Sequence, residues 1–189
     1  MSCLPTFQIG FLNAWLFIVP YLSVTYGLTY LVVDRKAALF IWPEYTDTEK
    51  RVMPISMSVL LLLIIYSIFL PLKLGTMWFY VGLVIYLLGM LFVLLATFDF
   101  SKTSTDKPVT TGVFRYSRNP MYFGFFLIYE GTGIATASWL VMVFALIIAV
   151  LQNYFMIPPE ERMCLKKFGE SYQAYMDETP KWIGVPNHS

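Results

Sequence analysis

The sequence predicts an all-α membrane protein, and its composition is the first reason. Of its 189 residues, 58% are hydrophobic and only 13% are charged, whereas about 25% of the residues in a soluble domain are charged. The mean hydropathy is +0.64. In addition, five apolar segments come close to or exceed the length of about 20 residues that a bilayer-spanning helix needs. The polar segments between them are short, which predicts a single membrane domain over residues 1–189.

Five transmembrane helices are predicted, and Pro20 should tilt or kink the first of them. The fourth and fifth abut at Ser138, and one continuous helix over both would overshoot any bilayer. A helical hairpin with a tight turn near Gly131, Gly133 and Ser138 is therefore expected. A short cytoplasmic helix should follow in the tail, residues 158–189. The predicted spans are 7–33, 54–72, 77–98, 121–137 and 138–157.

The distribution of lysine and arginine predicts the orientation of the chain. Of the 13 basic residues, all but Lys73 lie in the loop 34–53, the loop 99–120 or the tail after Ile157. Basic residues concentrate on the cytoplasmic side of a membrane protein. The N-terminus is therefore expected outside, with the C-terminus and both long loops in the cytoplasm.

Composition also argues against several classes of site. The net charge of +1 gives no reason to expect nucleic acid as a partner. Two distant cysteines, Cys3 and Cys164, predict neither a disulfide framework nor a metal site. With His188 as the single histidine, a histidine-based catalytic triad is not expected either.

Two segments that are predicted to be cytoplasmic carry candidate catalytic and binding residues. In the loop before the fourth span, Pro120 fits the first turn of a helix, where its missing N–H is harmless, and Asn119 could cap that helix. The plain interpretation of Arg115 and Arg118 in this loop is positive-inside charge. After the fifth span, residues 158–161 read Pro-Pro-Glu-Glu, and the plain interpretation is favourable charge at a helix N-terminus.

The hairpin predicts that these two segments meet, although they are forty residues apart in sequence. Arginine could hold a carboxylate, the glutamates an ammonium group or ribose hydroxyls, and tyrosine rings a sulfonium or an adenine. S-adenosylmethionine carries all of these groups, although another zwitterion would also suit such a crevice. The residues expected to line it are Arg118, Asn119, Glu160 and Glu161, with Tyr116, Tyr122 and Tyr172.

Several motifs in a fixed order resemble the integral-membrane methyltransferases. This superfamily includes isoprenylcysteine carboxyl methyltransferase and the phospholipid N-methyltransferases, and the resemblance covers about residues 80–184. The motifs are Pro-Val-Thr-Thr-Gly-Val-Phe-Arg-Tyr (108–116), Ser-Arg-Asn-Pro-Met-Tyr-Phe-Gly (117–124), Pro-Pro-Glu-Glu (158–161), Phe-Gly-Glu-Ser-Tyr-Gln-Ala-Tyr (168–175) and Pro-Lys-Trp-Ile-Gly (180–184).

The resemblance implies a cytoplasmic-face pocket for S-adenosylmethionine and a lipophilic or lipid-anchored methyl acceptor that arrives from the bilayer. A carboxylate or an amine acceptor is favoured, with thiol and phenol acceptors left open. Arg118 and Glu160 would have catalytic roles. Cofactor-binding roles fall on Gly112, Tyr116, Arg118, Asn119, Pro120, Tyr122, Glu160, Glu161 and Tyr172.

One departure from the isoprenylcysteine enzymes lies at Asn119, where those enzymes usually carry histidine. Asparagine exchanges hydrogen bonds but cannot act as a general base. The phospholipid methyltransferases look similar to this chain at that position, so the departure disfavours only the isoprenylcysteine branch.

Glu130 is a separate candidate, because it lies within the fourth span, about 15 Å along the helix from Pro120. An acid at such a depth is costly and faces protein or a water-filled cavity. It could bind the acceptor or a lipid headgroup. A structural role near the outer turn is favoured from its position.

Two other functions compete with a methyltransferase. The first is a membrane sterol-reductase-like enzyme that uses NADPH. The short chain and the paired glutamates disfavour it. The second is a non-enzymatic small transporter or assembly subunit, which the lack of an internal sequence repeat disfavours.

Overall fold

The computed structural model describes residues 10–28, 30, 43–104 and 106–186, and this part of the chain is all-helical, without strands. The helices are α1 (Trp15–Leu22), α2 (Asp47–Ile68), α3 (Met77–Lys102), α4 (Pro120–Ala135), α5 (Trp139–Leu151), α6 (Ile157–Phe168) and α7 (Glu170–Glu178). Two π-helical turns lie next to these helices, Ser23–Leu28 directly after α1 and Gln152–Met156 between α5 and α6. A 3₁₀ turn, Gly112–Arg115, precedes α4.

Within the described residues, three helices have the length and apolar composition to cross a membrane. They are α2, α3 and the continuous helix Trp139–Phe168, which comprises α5 and α6. Trp15–Gly27 is apolar but shorter. With 16 residues, α4 is about 24 Å long, against a hydrocarbon core of about 30 Å. The first predicted span, 7–33, extends at both ends beyond the described residues.

The second helix differs from the predicted span 54–72 at both ends. It begins at Asp47 because Thr46 and Glu49 form a capping box, in which each side chain accepts a hydrogen bond from the other residue's backbone N–H. It ends at Ile68 because the following residues pair with the start of the chain: the Ala14 N–H donates to the Leu70 carbonyl at 2.9 Å.

The predicted tail helix is present as α6, which begins at Ile157, but no break separates it from the fifth predicted span. The helix that begins at Trp139 continues to Phe168, and a π-helical turn lies directly before Pro158 and Pro159. A proline ring clashes with the carbonyl four residues earlier in a regular α-helix, and the wider turn relieves this clash. The acids at 160 and 161 therefore lie on the helix that continues from α5. A second tail helix, α7, follows.

The hairpin between α4 and α5 turns sharply over residues 136–138. Ala137 adopts a left-handed φ of +51°, and the Ser138 N–H donates to the Gly133 carbonyl at 2.8 Å. A Cβ on Gly133 would lie 2.7 Å from Met142 Cγ on α5. The turn thus depends on Gly133 for close packing and on Ala137 for the reversal.

Close packing of α3 against α4 forms the centre of the molecule. A Cβ on Gly131 would lie 2.5 Å from the Tyr86 backbone nitrogen, and one on Gly89 would lie 2.7 Å from the Gly124 carbonyl oxygen. Small residues allow such backbone contact between apolar helices. Gly124, Gly131 and Gly133 therefore permit close packing of the helices.

The loops gather at two opposite ends of the helices. At one end, called the hairpin end, the Leu72 N–H donates to the Leu12 carbonyl at 3.0 Å and the Lys73 N–H to the Ala135 carbonyl at 2.9 Å.

At the other end, called the cavity end, the segment before α2 reaches α6. Arg162 Nη2 lies 2.7 Å from Glu49 Oε2, and Lys166 Nζ lies 2.6 Å from Glu44 Oε1. The first pair is the more sheltered, since the Glu49 side chain is only 8% exposed whereas that of Glu44 is 85% exposed. These pairs tie the start of α2 to the helix that carries the paired acids.

Candidate functional site

A cavity of about 220 Å³ lies at the cavity end, between the loop before α4, helix α6 and helix α7. Its wall is mostly apolar and aromatic, with a few charged groups that converge on it, as is typical of small-molecule sites. The lining residues include Phe100, Thr103, Lys107, Phe114, Arg118, Asn119, Pro120, Tyr122, Glu160, Glu161, Cys164, Lys167, Phe168, Tyr172 and Tyr175.

Arg118 and Glu161 pair directly in the lining of this cavity, as the hairpin geometry predicts. Arg118 Nε lies 3.1 Å from Glu161 Oε1, and both side chains are nearly buried, at 12% and 13% exposure. Nη1 donates to the Met176 carbonyl at 2.7 Å. The guanidinium is therefore held between the Glu161 carboxylate and the backbone of α7.

Glu160 is held by Tyr122, whose hydroxyl donates to Glu160 Oε1 at 2.7 Å. Glu160 lies past the apolar stretch of its helix, which ends at Ile157. Burial raises the pKa of the Glu160 carboxyl to about 7, with a further increase from the charge of Glu161, while the Tyr122 hydrogen bond acts in the opposite direction. A carboxyl group with a pKa near neutrality can both accept and release a proton.

Asn119 and Pro120 begin α4, but only one of them does so as the sequence predicts. Pro120 occupies the first turn. The prediction that the Asn119 side chain caps the helix is wrong. Instead, Asn119 Nδ2 donates to the Lys181 carbonyl at 3.1 Å and lies 3.5 Å from Glu161 Oε1. The amide therefore links the loop to the tail rather than to the helix.

Aromatic side chains from α7 form the cavity wall that faces the acids. Tyr172 and Tyr175 are buried, and their rings are 5.7 Å apart. Burial raises the pKa of both hydroxyls, so both stay neutral. The Tyr175 hydroxyl donates to the Phe114 carbonyl at 2.7 Å. These rings offer the faces that the sequence led us to expect for a cationic or heteroaromatic group.

Gly112 lies outside the cavity lining and has a clear structural role. Its φ is +61°, and a Cβ there would collide with the Asp99 carboxylate at the end of α3. The same carboxylate accepts a hydrogen bond from the Val113 N–H at 3.0 Å. Gly112 thus lets Asp99 anchor the 3₁₀ turn that leads into the site.

Tyr116 and Glu130 are also placed away from the cavity. The Tyr116 ring is half-exposed and lines a separate apolar hollow with Phe92 and Ile183. Glu130 is partly buried on α4, ten residues beyond Pro120, and its Oε1 has no hydrogen-bond partner among the described residues.

Sequence reasoning missed two cations that line the cavity, Lys107 and Lys167. Lys107 follows α3, and the sequence alone offers no signal that it lies near α6. Lys167 is seven residues after Glu160, which places both on one helical face. The cavity therefore presents both signs of charge within an apolar wall, as a zwitterionic ligand requires.

Long apolar helices that end at a cavity of this kind define a membrane protein with a small-molecule site. The family model for phospholipid methyltransferases matches residues 70–171, which is more than half of the 189-residue chain. The chain belongs to the phospholipid methyltransferase family. No curated protein matches it.

The matched region runs from before α3 to the start of α7, and it contains Arg118, Tyr122, Glu160 and Glu161. The resemblance to the membrane methyltransferases that the motifs indicate is thereby confirmed, and membership places the chain among these enzymes.

Proposed function

We propose that this protein uses S-adenosylmethionine to methylate a lipophilic acceptor that reaches the site from the bilayer. The observation that carries the proposal is the cavity lined by Arg118 and the paired acids, in a chain of a methyltransferase family. Arg118 lines this cavity, and its guanidinium suits the carboxylate of S-adenosylmethionine. Glu160 and Glu161 suit its ammonium group or ribose hydroxyls, and Tyr172 suits its sulfonium or adenine.

The residues of this chain supply binding, orientation and proton transfer. When bound, S-adenosylmethionine provides a methyl group on a positively charged sulfur. An amine acceptor must be neutral to attack, and the carboxylate of Glu160 or Glu161 would accept its proton. A carboxylate acceptor would need no base, and the apolar wall would favour the neutralisation of opposite charges. The family name favours a lipid amine as the acceptor.

Calorimetric titration of S-adenosylhomocysteine into the detergent-purified protein tests this function, with NADPH as the comparison. Saturable binding of S-adenosylhomocysteine alone would support the proposal. Binding of NADPH alone would indicate a reductase, and binding of neither ligand to folded protein would favour a non-enzymatic role. Vesicles of phosphatidylethanolamine then test the amine acceptor.

Binding should depend on pH through Glu160. Because its pKa is raised to about 7, the carboxyl is neutral below this pH and ionised above it. The affinity for S-adenosylhomocysteine is therefore expected to increase as the pH rises through about 7. Tyr122→Phe should move the midpoint to higher pH, since its hydrogen bond favours the ionised form. An affinity that does not change across this range would contradict the role of Glu160.

We further propose that the five predicted apolar segments span the membrane as a single domain, with the cavity end in the cytoplasm and the N-terminus outside. Two sets of contacts support this. Lys73 lies beside Ala135 at the hairpin end. At the cavity end, the basic residues Arg162 and Lys166 pair with Glu49 in the first turn of α2 and with Glu44 just before it.

Cysteine labelling in sealed, right-side-out vesicles tests the orientation. In a chain with Cys3 and Cys164 replaced by serine, an impermeant reagent should label Leu74→Cys at once. Glu178→Cys on α7 should react only after permeabilisation. The reverse pattern would overturn the orientation.

A further inference from the structure

The chain beyond α7 forms a C-terminal strap, residues 179–184, which lies past the end of the family match. One edge of the strap is bonded to the backbone of the loop that carries Arg118. The Arg118 N–H donates to the Pro180 carbonyl at 3.0 Å, and the Gly184 N–H donates to the Tyr116 carbonyl at 2.9 Å. Two hydrogen bonds, one on each side of the loop's last turn, hold the arginine in place.

A third hydrogen bond joins the strap to the side chain of Asn119, since its Nδ2 donates to the Lys181 carbonyl at 3.1 Å. That side chain also approaches Glu161. The strap therefore contacts both Arg118 and Asn119, although it contributes no side chain to the cavity lining.

The opposite side of the strap is tied to one residue, Asn153. Lys181 Nζ donates to the Asn153 backbone carbonyl at 2.9 Å, and Trp182 Nε1 donates to Asn153 Oδ1 at 3.1 Å. The indole N–H can only donate, so the Asn153 side chain must present its oxygen. Trp182 thus has a protein acceptor, which a tryptophan that merely marks the membrane interface does not need.

The position of Asn153 gives these bonds their consequence. It lies in the π-helical turn Gln152–Met156, directly before the helix that carries Glu160 and Glu161. Turns of this kind change the register of the helical hydrogen bonds and are frequent at functional sites. Asn153 therefore lies on the helix that carries Glu160 and Glu161, whereas the strap is bonded to the loop that carries Arg118.

We propose that Asn153 is a positioning residue, which sets the separation of Arg118 and Asn119 from the paired acids by holding the strap through Trp182 and Lys181. The inference rests on the proposed function, because it takes the cavity to be the site of the methyl donor. It implies that residues outside the cavity contribute to the affinity for the methyl donor.

The test compares S-adenosylhomocysteine binding and donor KM in wild-type protein and in two variants that each break the same hydrogen bond. Asn153→Leu removes the hydrogen-bond acceptor, and Trp182→Phe removes the hydrogen-bond donor. Each variant should bind S-adenosylhomocysteine about fivefold more weakly, as expected for one lost hydrogen bond. The KM of the lipid that accepts the methyl group should be unchanged. The double variant should be no weaker than either single one, because both act through one interaction.

Two controls separate positioning from general damage. Asn153→Asp keeps a side-chain oxygen as hydrogen-bond acceptor and should retain the wild-type affinity for S-adenosylhomocysteine. Tyr154→Phe alters the exposed neighbour on the same turn and should leave binding unchanged. Wild-type affinity in both Asn153→Leu and Trp182→Phe would overturn the role of the strap, as would an equal loss in Asn153→Asp. If wild-type protein itself fails to bind, the proposed function fails instead.

Discussion

Replacement of Glu160 by glutamine is expected to abolish detectable S-adenosylhomocysteine binding and to lower methyl transfer by at least about 100-fold, the scale of a lost acid–base group. The variant keeps the size of the side chain and an oxygen that can accept the Tyr122 hydrogen bond, which is 2.7 Å long in the native protein. Only the charge and the capacity to accept a proton are removed.

Stability should not fall in this variant, which makes the loss of function interpretable. Burial raises the pKa of Glu160 to about 7, so the folded state favours the neutral form, and the ionised form reduces stability above that pH. A neutral glutamine removes this cost. Glu160→Gln is therefore expected to unfold at the same temperature as the wild type or at a higher one when measured above about pH 7.

Glu170→Gln is the matched control, because Glu170 is exposed in the first turn of α7 and does not line the cavity. It should retain wild-type binding and turnover. Full activity of Glu160→Gln would remove Glu160 from the site, and equal losses in both variants would point to damage by any lost charge in the tail.

Replacement of Gly131 by alanine is expected to give the largest loss of stability. The added Cβ would lie 2.5 Å from the Tyr86 nitrogen and 2.7 Å from the Gly82 carbonyl oxygen. Both are backbone atoms, so α3 and α4 must separate. Overpacking of this kind costs about 1–3 kcal/mol, whereas alanine favours a helix over glycine by about 1 kcal/mol. The net loss should lie at the upper end of the difference, up to about 2 kcal/mol, because backbone overlaps backbone.

Thermal unfolding in detergent measures this effect, with Gly27→Ala as the control. Gly27 has no atom within 4 Å of an added Cβ, so this variant should be neutral or slightly more stable. Donor binding should fall with stability in Gly131→Ala, because α4 begins at the cavity. Equal unfolding temperatures in the two glycine variants would show that the backbones of α3 and α4 do not contact each other as described.

The pairing of distant residues across the hairpin could be predicted from sequence because helix length is nearly proportional to residue number. Two helices of similar length that share a tight turn must bring their far ends together. This argument places residues 118–122 beside 160 and 161, and the observed Arg118–Glu161 and Tyr122–Glu160 contacts follow it.

Predictions made from local motifs were less accurate where a side chain had several nearby partners to choose from. Asn119 has the residue type and position of a helix cap, yet its amide is bonded to the tail and approaches Glu161. Gly112 belongs to a motif that resembles the methyltransferases, and it can lie against the Asp99 carboxylate because it has no Cβ. In both cases the deciding partner is distant in sequence.

The sequence by itself determined the all-helical apolar class, the residues that meet across the hairpin and the family, because these depend on runs of hydrophobicity, on chain length and on short motifs. Only the tertiary structure decided that α5 and α6 form one rod and that Lys107 joins the cavity. It also decided that Asn153 holds the C-terminal strap. These features depend on hydrogen bonds and packing between segments far apart in the chain, for which local sequence carries no periodic signal.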